Sequence, residues 1–570
     1  MKVRIVRPLL LSIALSSAFL LSSCTHPPSD RASLTVPRFA RHEVSLTAAG
    51  NYANPYAELE AEATLVEPDG KTTRKLPLFW DGGQTWRFRF APDLTGTWPW
   101  SVKSADQGLD GQSGSFECMP SNRRGSIRPM AGAPHHFQYQ NGERLWFLGD
   151  TAWAYVMDNA REKHDRASAE RYASNRAAQG FNAIHVMMLG ERGWGNRNGP
   201  PWFDMAKEEI NPAYFQEADE RIAFANARGL VTGLVLAWAN KGRNEPYSWS
   251  RMANLAARER YARYIAARYG AYDAYFLVSG EWDAEIRSRP APEAELRSEF
   301  VRLGDVVRAS DPQHRMIGIH PTMKTHGTSR AFNTASTWMD FGDYQQNYSQ
   351  LHQSILDSRA IDKPVVNAEY AYWLRDNNGD GHVDKAYSYT LEDIRAATWD
   401  IVMAGGYVVA GFGSTYLGGD RHVTTFLSDD PKNVPWIEQL GHMKGFFTSL
   451  DYWKLEPHDE LLSSPAARTA DRASRVEAGD IHLTETRAPA TTYWCLAEPG
   501  ETYVAYVRGT TGPVTLKLGH APAGSWRAEQ FDPRTGERRP LAAPALSDAT
   551  FVYHAPDAQD WLVVVRAVRQ

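Results

Sequence analysis

Two short stretches carry residues that could do chemistry. Phe276–Asp283 reads FLVSGEWD and Pro364–Trp373 reads PVVNAEYAYW. Each is an apolar, β-branched run of strand length that stops on a glutamate, Glu281 in the first and Glu369 in the second. A carboxylate at the C-terminal end of a buried strand is badly placed for packing and well placed to face a cleft. Hydrolysis of a glycosidic bond needs such a pair, one acid to protonate the leaving oxygen and a second carboxylate as nucleophile or base. Asp283 and Glu285 stand close enough to compete for the acid role.

Two glutamates so far apart in the chain meet only if a larger frame brings their strands together. Between them and around them the sequence alternates strands and helices. Strand candidates are 144–149, 181–188, 230–237, 274–279, 316–320, 338–344, 364–368 and 407–411. Asn211-Pro212 opens a helix with an N-cap and a first-turn proline, and Gly229 closes it. Ser250 is read as the start of another, running to Gly270, and Thr390 with Asp393 resembles a capping box. Eight strands alternating with helices over this length are the pattern of a (β/α)8 TIM barrel, an α/β fold whose sites form at the C-terminal strand ends. In order, those ends offer Asp150, Trp153, His185, Trp238, Glu281, His320, Gln345 and Glu369. Trp282 and Trp373, beside the two glutamates, and Trp194, in the long loop 191–204, join them as candidate substrate-binding residues. Trp202 shares that loop, which reads equally as a lid or as packing on the barrel rim. Asp150 could instead hold the first barrel loop, and His185 and His320 could be satisfied core histidines. Acids, imidazoles, indoles and an amide make a pocket suited to a sugar, and no cofactor is required. Neither a GxGxxG turn nor a GxxxxGK[ST] phosphate loop is present.

The regions flanking the barrel read as β-structure. From 42 to 120, short alternating strands are broken by Pro68-Asp69-Gly70 and Asp81-Gly82-Gly83, which suit tight turns and suggest an antiparallel sandwich. Its Trp80, Trp86, Trp98 and Trp100 could bind sugar but more simply fill a core. Residues 125–450 hold the barrel, and 451–570 return to short strands with a turn at Phe531–Gly536, a second sandwich. No internal repeat exceeds the β/α unit.

The N-terminus reads as a signal. Lys2, Arg4 and Arg7 precede an apolar run from Leu9 to Leu21 that ends in Leu21-Ser22-Ser23-Cys24, a bacterial lipoprotein pattern. Residues 1–23 would be removed, Cys24 lipidated, and 24–41 would serve as a tether; Thr25 points to sorting to the outer membrane. The other cysteines, Cys118 and Cys495, fall in different domains, and no metal-type spacing occurs. Asp376, Asn378, Asp380 and Asp384, with Gly381 at the turn, follow the start of an EF-hand-type loop. Tyr387 replaces the bidentate glutamate, so calcium or a solvated acidic turn are both open. The 570 residues are 43% hydrophobic and 23% charged, with formal net charge −5 and no basic cluster, against a nucleic-acid partner. The 19 Trp and 25 Tyr suit sugar stacking and core packing alike.

WFLGDTAW (146–153), FNAIHVMML (181–189), LVSGEWD (277–283) and KPVVNAEYAY (363–372) resemble the apiosidase-like glycoside hydrolases, whose catalytic domain is a clan A barrel. The first sandwich is similar to a domain often placed before such barrels, and the FDPRTG tail to a C-terminal β-domain of collagen-binding type. The resemblance implies Glu281 as acid/base, Glu369 as nucleophile and retention of configuration. It also implies an exo-acting enzyme that takes a pentose or branched sugar such as apiose from a plant cell-wall glycan. An endo-glycosidase, or a sugar-binding surface lipoprotein without catalysis, are the alternatives. One departure stands out: the clan places Asn before the strand-four acid, and this chain has Gly280.

Overall fold

A computed structural model describes residues 34–159, 164–190, 193–239, 245–288, 292–322, 328–345, 351–370, 391–410, 435–468, 491–519, 524–542 and 550–569. Its centre is a ring of eight parallel strands: β1 (Leu148–Thr151), β2 (Ala183–Met187), β3 (Val231–Val235), β4 (Ala274–Leu277), β5 (Ile317–Gly318), β6 (Gly342–Gln345), β7 (Val365–Glu369) and β8 (Tyr407–Ala410). Each overlaps one of the stretches the sequence marks as strand, with β1 running two residues past its stretch and β6 and β7 one residue past theirs. All of these strand residues are buried, as expected where helices cover the outside and side chains fill the inside. Seven neighbouring pairs form parallel ladders, including β8 with β1. The ring closes at a thinner seam, a parallel bridge from Ile317 of β5 to Met339 just before β6. The chain is therefore a TIM barrel flanked by β-domains.

The outer layer follows from local sequence. Helix α1 (Arg166–Ala178) opens on a reciprocal capping box between Asp165 and Ser168, and α2 (Pro212–Asn226) on Asn211 with proline at its first position. Helix α3 (Leu255–Tyr269) starts later than Ser250, because Asn254 caps it by accepting the Ala257 N–H; the preceding Trp249–Arg251 is a single 3-10 turn. Helices α4 (Glu293–Ser310), α5 (Thr328–Ala335), α6 (Leu351–Arg359), α7 (Leu391–Val402) and α8 (Pro435–Thr448) complete the alternation. Inside the ring, the Tyr275 ring lies directly over Gly233, where a Cβ would come within 2.5 Å of it. The strands Ile127–Met130, Ala133–Tyr139 and Arg144–Leu145 form a small sheet whose Phe137 packs on Phe147, Phe341 and Tyr407.

The N-terminal domain pairs a five-stranded and a three-stranded sheet. Trp86 and Trp98 fill its core with Phe88, Phe90 and Phe116, while Trp80 and Trp100 are half-buried against it. The sandwich begins earlier than a tether to Arg41 allows, since Thr35–Pro37 already pairs in parallel with Glu117–Met119. It docks through a buried charge network. Arg89 meets Asp219 of α2 at 2.7 Å, and Arg268 of α3 bonds Asp219 and, at 2.8 Å, Asp81. The C-terminal domain, a six-stranded and a three-stranded sheet, docks on α6 and α7 with more aromatic surface. Trp494 stacks on His352 at 3.8 Å and Tyr506 on Trp399, while Arg395 pairs with Asp560. Cys118 and Cys495 are free and buried. No helix of the described residues is long and apolar enough to cross a membrane.

Candidate active site

Glu369 is the last residue of β7 and almost buried, at 6% exposure. The ladder to β6 slips just here: Tyr344 pairs with Asn367 and Gln345 with Glu369, leaving Ala368 as the extra residue. Such a bulge re-aims the side chain that follows it. The Glu369 Oε2 lies 3.3 Å from His320 Nε2, and His320 Nδ1 lies 2.7 Å from Asp343 Oδ1 on β6. Both His320 and Asp343 are fully buried. Burial pulls the His320 imidazole down, but the carboxylates of Asp343 and Glu369 together lift it to about 10.

Glu281 sits otherwise. It follows β4 in the left-handed region, φ 43° and ψ 49°, where a non-glycine residue is strained. The turn is held from both sides. Gly280 donates to the Ala237 carbonyl and accepts from Ala239 N–H, at the end of β3. On the other flank, the His320 N–H donates to the Ser279 carbonyl and the His320 carbonyl accepts from Trp282 N–H. The Glu281 side chain is half-buried, not packed away.

Its two competitors are buried elsewhere. Asp283 accepts both the N–H and the hydroxyl of Thr322, at 2.7 and 2.8 Å, and its carboxyl is raised chiefly by burial. Glu285 is fully buried within 3.4 Å of Arg258. Aromatic and imidazole rings gather around His320. Trp153 and Trp238 meet edge to face at 5.2 Å, and each lies about as close to His320. His185 is fully buried against Trp153, with neither ring nitrogen bonded among the described residues; burial and then the charge on His320 depress it to about 3. Gln345 Oε1 is buried and has no partner among the described residues. It stands opposite Glu369 on the neighbouring strand.

Residues 133–454, more than half of the chain, match the family described as apiosidase-like, catalytic domain. The chain belongs to this family. It is accordingly a glycoside hydrolase of the apiosidase-like kind, and its substrate is a carbohydrate. Residues 35–105 match a domain of unknown function, DUF5060. Solved structures share the apiosidase-like chain's architecture. A protein from Bacteroides vulgatus assigned as a glycoside hydrolase gives TM-score 0.68 at 18% identity, over 94% of this chain and 100% of its own. A family 5 glycoside hydrolase from the same organism gives 0.60 at 17%, over 78% and 93%. A further structure named glycoside hydrolase gives 0.60 at 17%, over 78% and 97%. At these identities the likeness is one of fold. No curated protein matches.

Not every residue the sequence offers reaches the site of this apiosidase-like hydrolase. Glu281, Glu369, Trp153, His185, Trp238, His320 and Gln345 gather at the C-terminal strand ends. Asp150 does not: it faces outward from β1, bonded to Arg176 and Tyr172 of α1 in a fully buried pair. Its role is to lock strand to helix. Trp282 is carried beneath the strained turn, where it packs on Phe300 and Phe332. Trp202 packs on Tyr56 and Tyr261, joining the first sandwich to α3 rather than walling a cleft. Trp194 is half-buried beside Gly190, just past β2. Trp373, Cys24 and the acidic loop Asp376, Asn378, Asp380, Asp384 lie outside the described residues. Among the described residues no three His, Cys, Asp or Glu are grouped to hold a metal ion.

The structure explains Gly280. A Cβ there would fall 2.2 Å from the Trp238 ring, so the indole occupies the space that an asparagine would need. It also adds Asp343, which sequence reasoning missed. The available signal was alternation: Asp343 lies two before Gln345 and so shares its face of β6.

Proposed function

We propose that this chain is a retaining exo-glycosidase that releases a pentose or branched sugar, such as apiose, from plant cell-wall polysaccharide. What carries the reading is the pair of strand-end carboxylates around His320, one strained and half-exposed, one buried and hydrogen-bonded. In the first step a Glu369 oxygen attacks the anomeric carbon as the bond to the leaving oxygen breaks. That oxygen keeps the electron pair and takes the proton of Glu281. In the second step Glu281, now a carboxylate, removes a proton from water. The water oxygen bonds the anomeric carbon, and the Glu369 carboxylate departs. The retaining scheme requires the carboxyl groups about 5–5.5 Å apart. Trp153 and Trp238 would stack on the sugar ring, with His185 and Gln345 bonding its hydroxyls.

A 2-deoxy-2-fluoro glycoside with a good leaving group tests the scheme. Mass spectrometry is expected to find the sugar esterified to Glu369, and labelling of another residue overturns the assignment. Sizing the products from branched pectin distinguishes release of single sugars from internal cleavage, the endo alternative. If the wild type turns over no glycan and it, Glu281→Gln and Glu369→Gln bind glycan alike, the chain is a binding protein. We place it at the outer membrane, anchored through lipidated Cys24 and facing the periplasm or the cell surface. Radiolabelled palmitate incorporation that disappears in Cys24→Ser is the check. A structural calcium at Asp376–Asp384 is proposed on the loop pattern alone, and isothermal titration with calcium chloride measures it.

A further inference from the structure

His320 touches both halves of the site with different atoms. Its main chain straps the turn of Glu281, donating to the Ser279 carbonyl at 3.0 Å and accepting from Trp282 N–H at 3.2 Å. Its ring spans two carboxylates, Asp343 at 2.7 Å and Glu369 at 3.3 Å. A neutral imidazole has one N–H and one lone pair, so between two carboxylates it can donate to only one of them. The doubly protonated ring donates to both. Resting on the assignment of Glu369 as nucleophile, we propose that His320 is a positioning residue for the pair. Asp343 orients it as an imidazolium whose Nε2–H holds Glu369 Oε2, while its backbone sets the Glu281 turn.

The surroundings agree with this role. The titratable groups facing the ring are Asp343 from β6, Glu369 from β7 and His185 from β2; the other ring neighbours are the indoles of Trp153 and Trp238. His185 is held neutral, so it adds no competing positive charge. With Oε2 bound to His320, attack on the anomeric carbon is assigned to Oε1. When it bonds the anomeric carbon, Oε2 becomes the ester carbonyl oxygen and keeps its hydrogen bond. The same bond then stabilises the carboxylate that leaves in the second step. His320 would thus act in both halves of the cycle without exchanging a proton in either.

Two measurements test this on the full chain. In nitrogen-15 histidine spectra, the wild type should show one imidazolium that persists above pH 8, is missing from His320→Gln, and titrates lower in Asp343→Asn. A His320 signal that titrates at or below the ordinary histidine value overturns the proposal. The second reads kcat/KM against pH on whichever 4-nitrophenyl pentoside is turned over fastest. Removing a positive charge beside a carboxylate raises its pKa, so His320→Gln should move the acidic limb up by about 1 pH unit. A uniform drop with the limb unmoved means a merely structural histidine and overturns it too. The 2-fluoro label separates the two layers. Label on Glu369 with an unmoved limb sinks this proposal alone, and label elsewhere sinks it together with the nucleophile assignment.

Discussion

Glu281 and Glu369 end strands of one barrel, yet their surroundings have little in common. Glu281 rides a left-handed turn with its side chain half in solvent. Glu369 closes a hydrogen-bonded strand, is nearly buried, and leans on an imidazole that is itself braced by Asp343. A group that gives a proton in one step and takes one from water in the next needs access to water and tolerates some play. A group that forms and breaks a covalent bond needs a fixed direction. The contrast therefore supports, on physical grounds, the division of labour that the family resemblance implies.

The sharpest way to break the contrast is substitution of each glutamate. Glu369→Gln should cost on the order of 10⁴-fold or more in kcat on every substrate, since among the described residues no other carboxylate ends β7 to replace it. Glu281→Gln should cost roughly 10²–10⁴-fold in kcat/KM, and less on 4-nitrophenyl glycosides, whose leaving group needs no proton. Equal losses across leaving groups for both variants would erase the distinction.

Next in size is a test of Asp150, which ends a strand as the glutamates do but faces the helix layer. Asp150→Ala leaves Arg176 buried without its counter-charge and should destabilise the fold by about 3–5 kcal/mol in urea unfolding, with KM of the folded fraction unchanged. A raised KM at unchanged stability would return Asp150 to the site. Gly280→Ala presses a methyl against Trp238, at 2.2 Å before relaxation. Overpacking of this kind costs about 1–3 kcal/mol. Because the pressure falls on the turn of Glu281, kcat should drop while labelling of Glu369 by the fluoro sugar is slowed far less. The last effect is on stability against pH. His320 lies above the free value of 6.5, so its contribution is complete below that pH and is lost as pH rises towards about 10. His185 lies below it, so the folded chain is penalised as pH falls from 6.5 towards about 3. Urea midpoints of wild type and His320→Gln should therefore converge between pH 7 and 10.

Much of this architecture was legible beforehand. Buried parallel strands are continuous apolar runs, and all eight stood out as such. Which way a strand-end side chain points was not legible, because inward and outward positions alternate and the ends are short. Asp150 read like a site residue for that reason, and Asp343 was overlooked for the same one. Trp282 misled because the strained turn reverses the direction expected of the residue after Glu281. The start of α3 shifted because Ser250 and Asn254 are both good caps, and only packing chose between them.

The seam between β5 and β6 carries a consequence of its own. The ring is joined there by a single backbone bridge, whereas the His320–Asp343 contact crosses the same gap a few residues further on. A side-chain strut thus does the work that strand pairing does elsewhere around the ring. On warming, local opening should start where the fewest bonds must part. Turnover should then fade some degrees before the circular dichroism signal does, with amide exchange quickening first at Ile317 and Asp340.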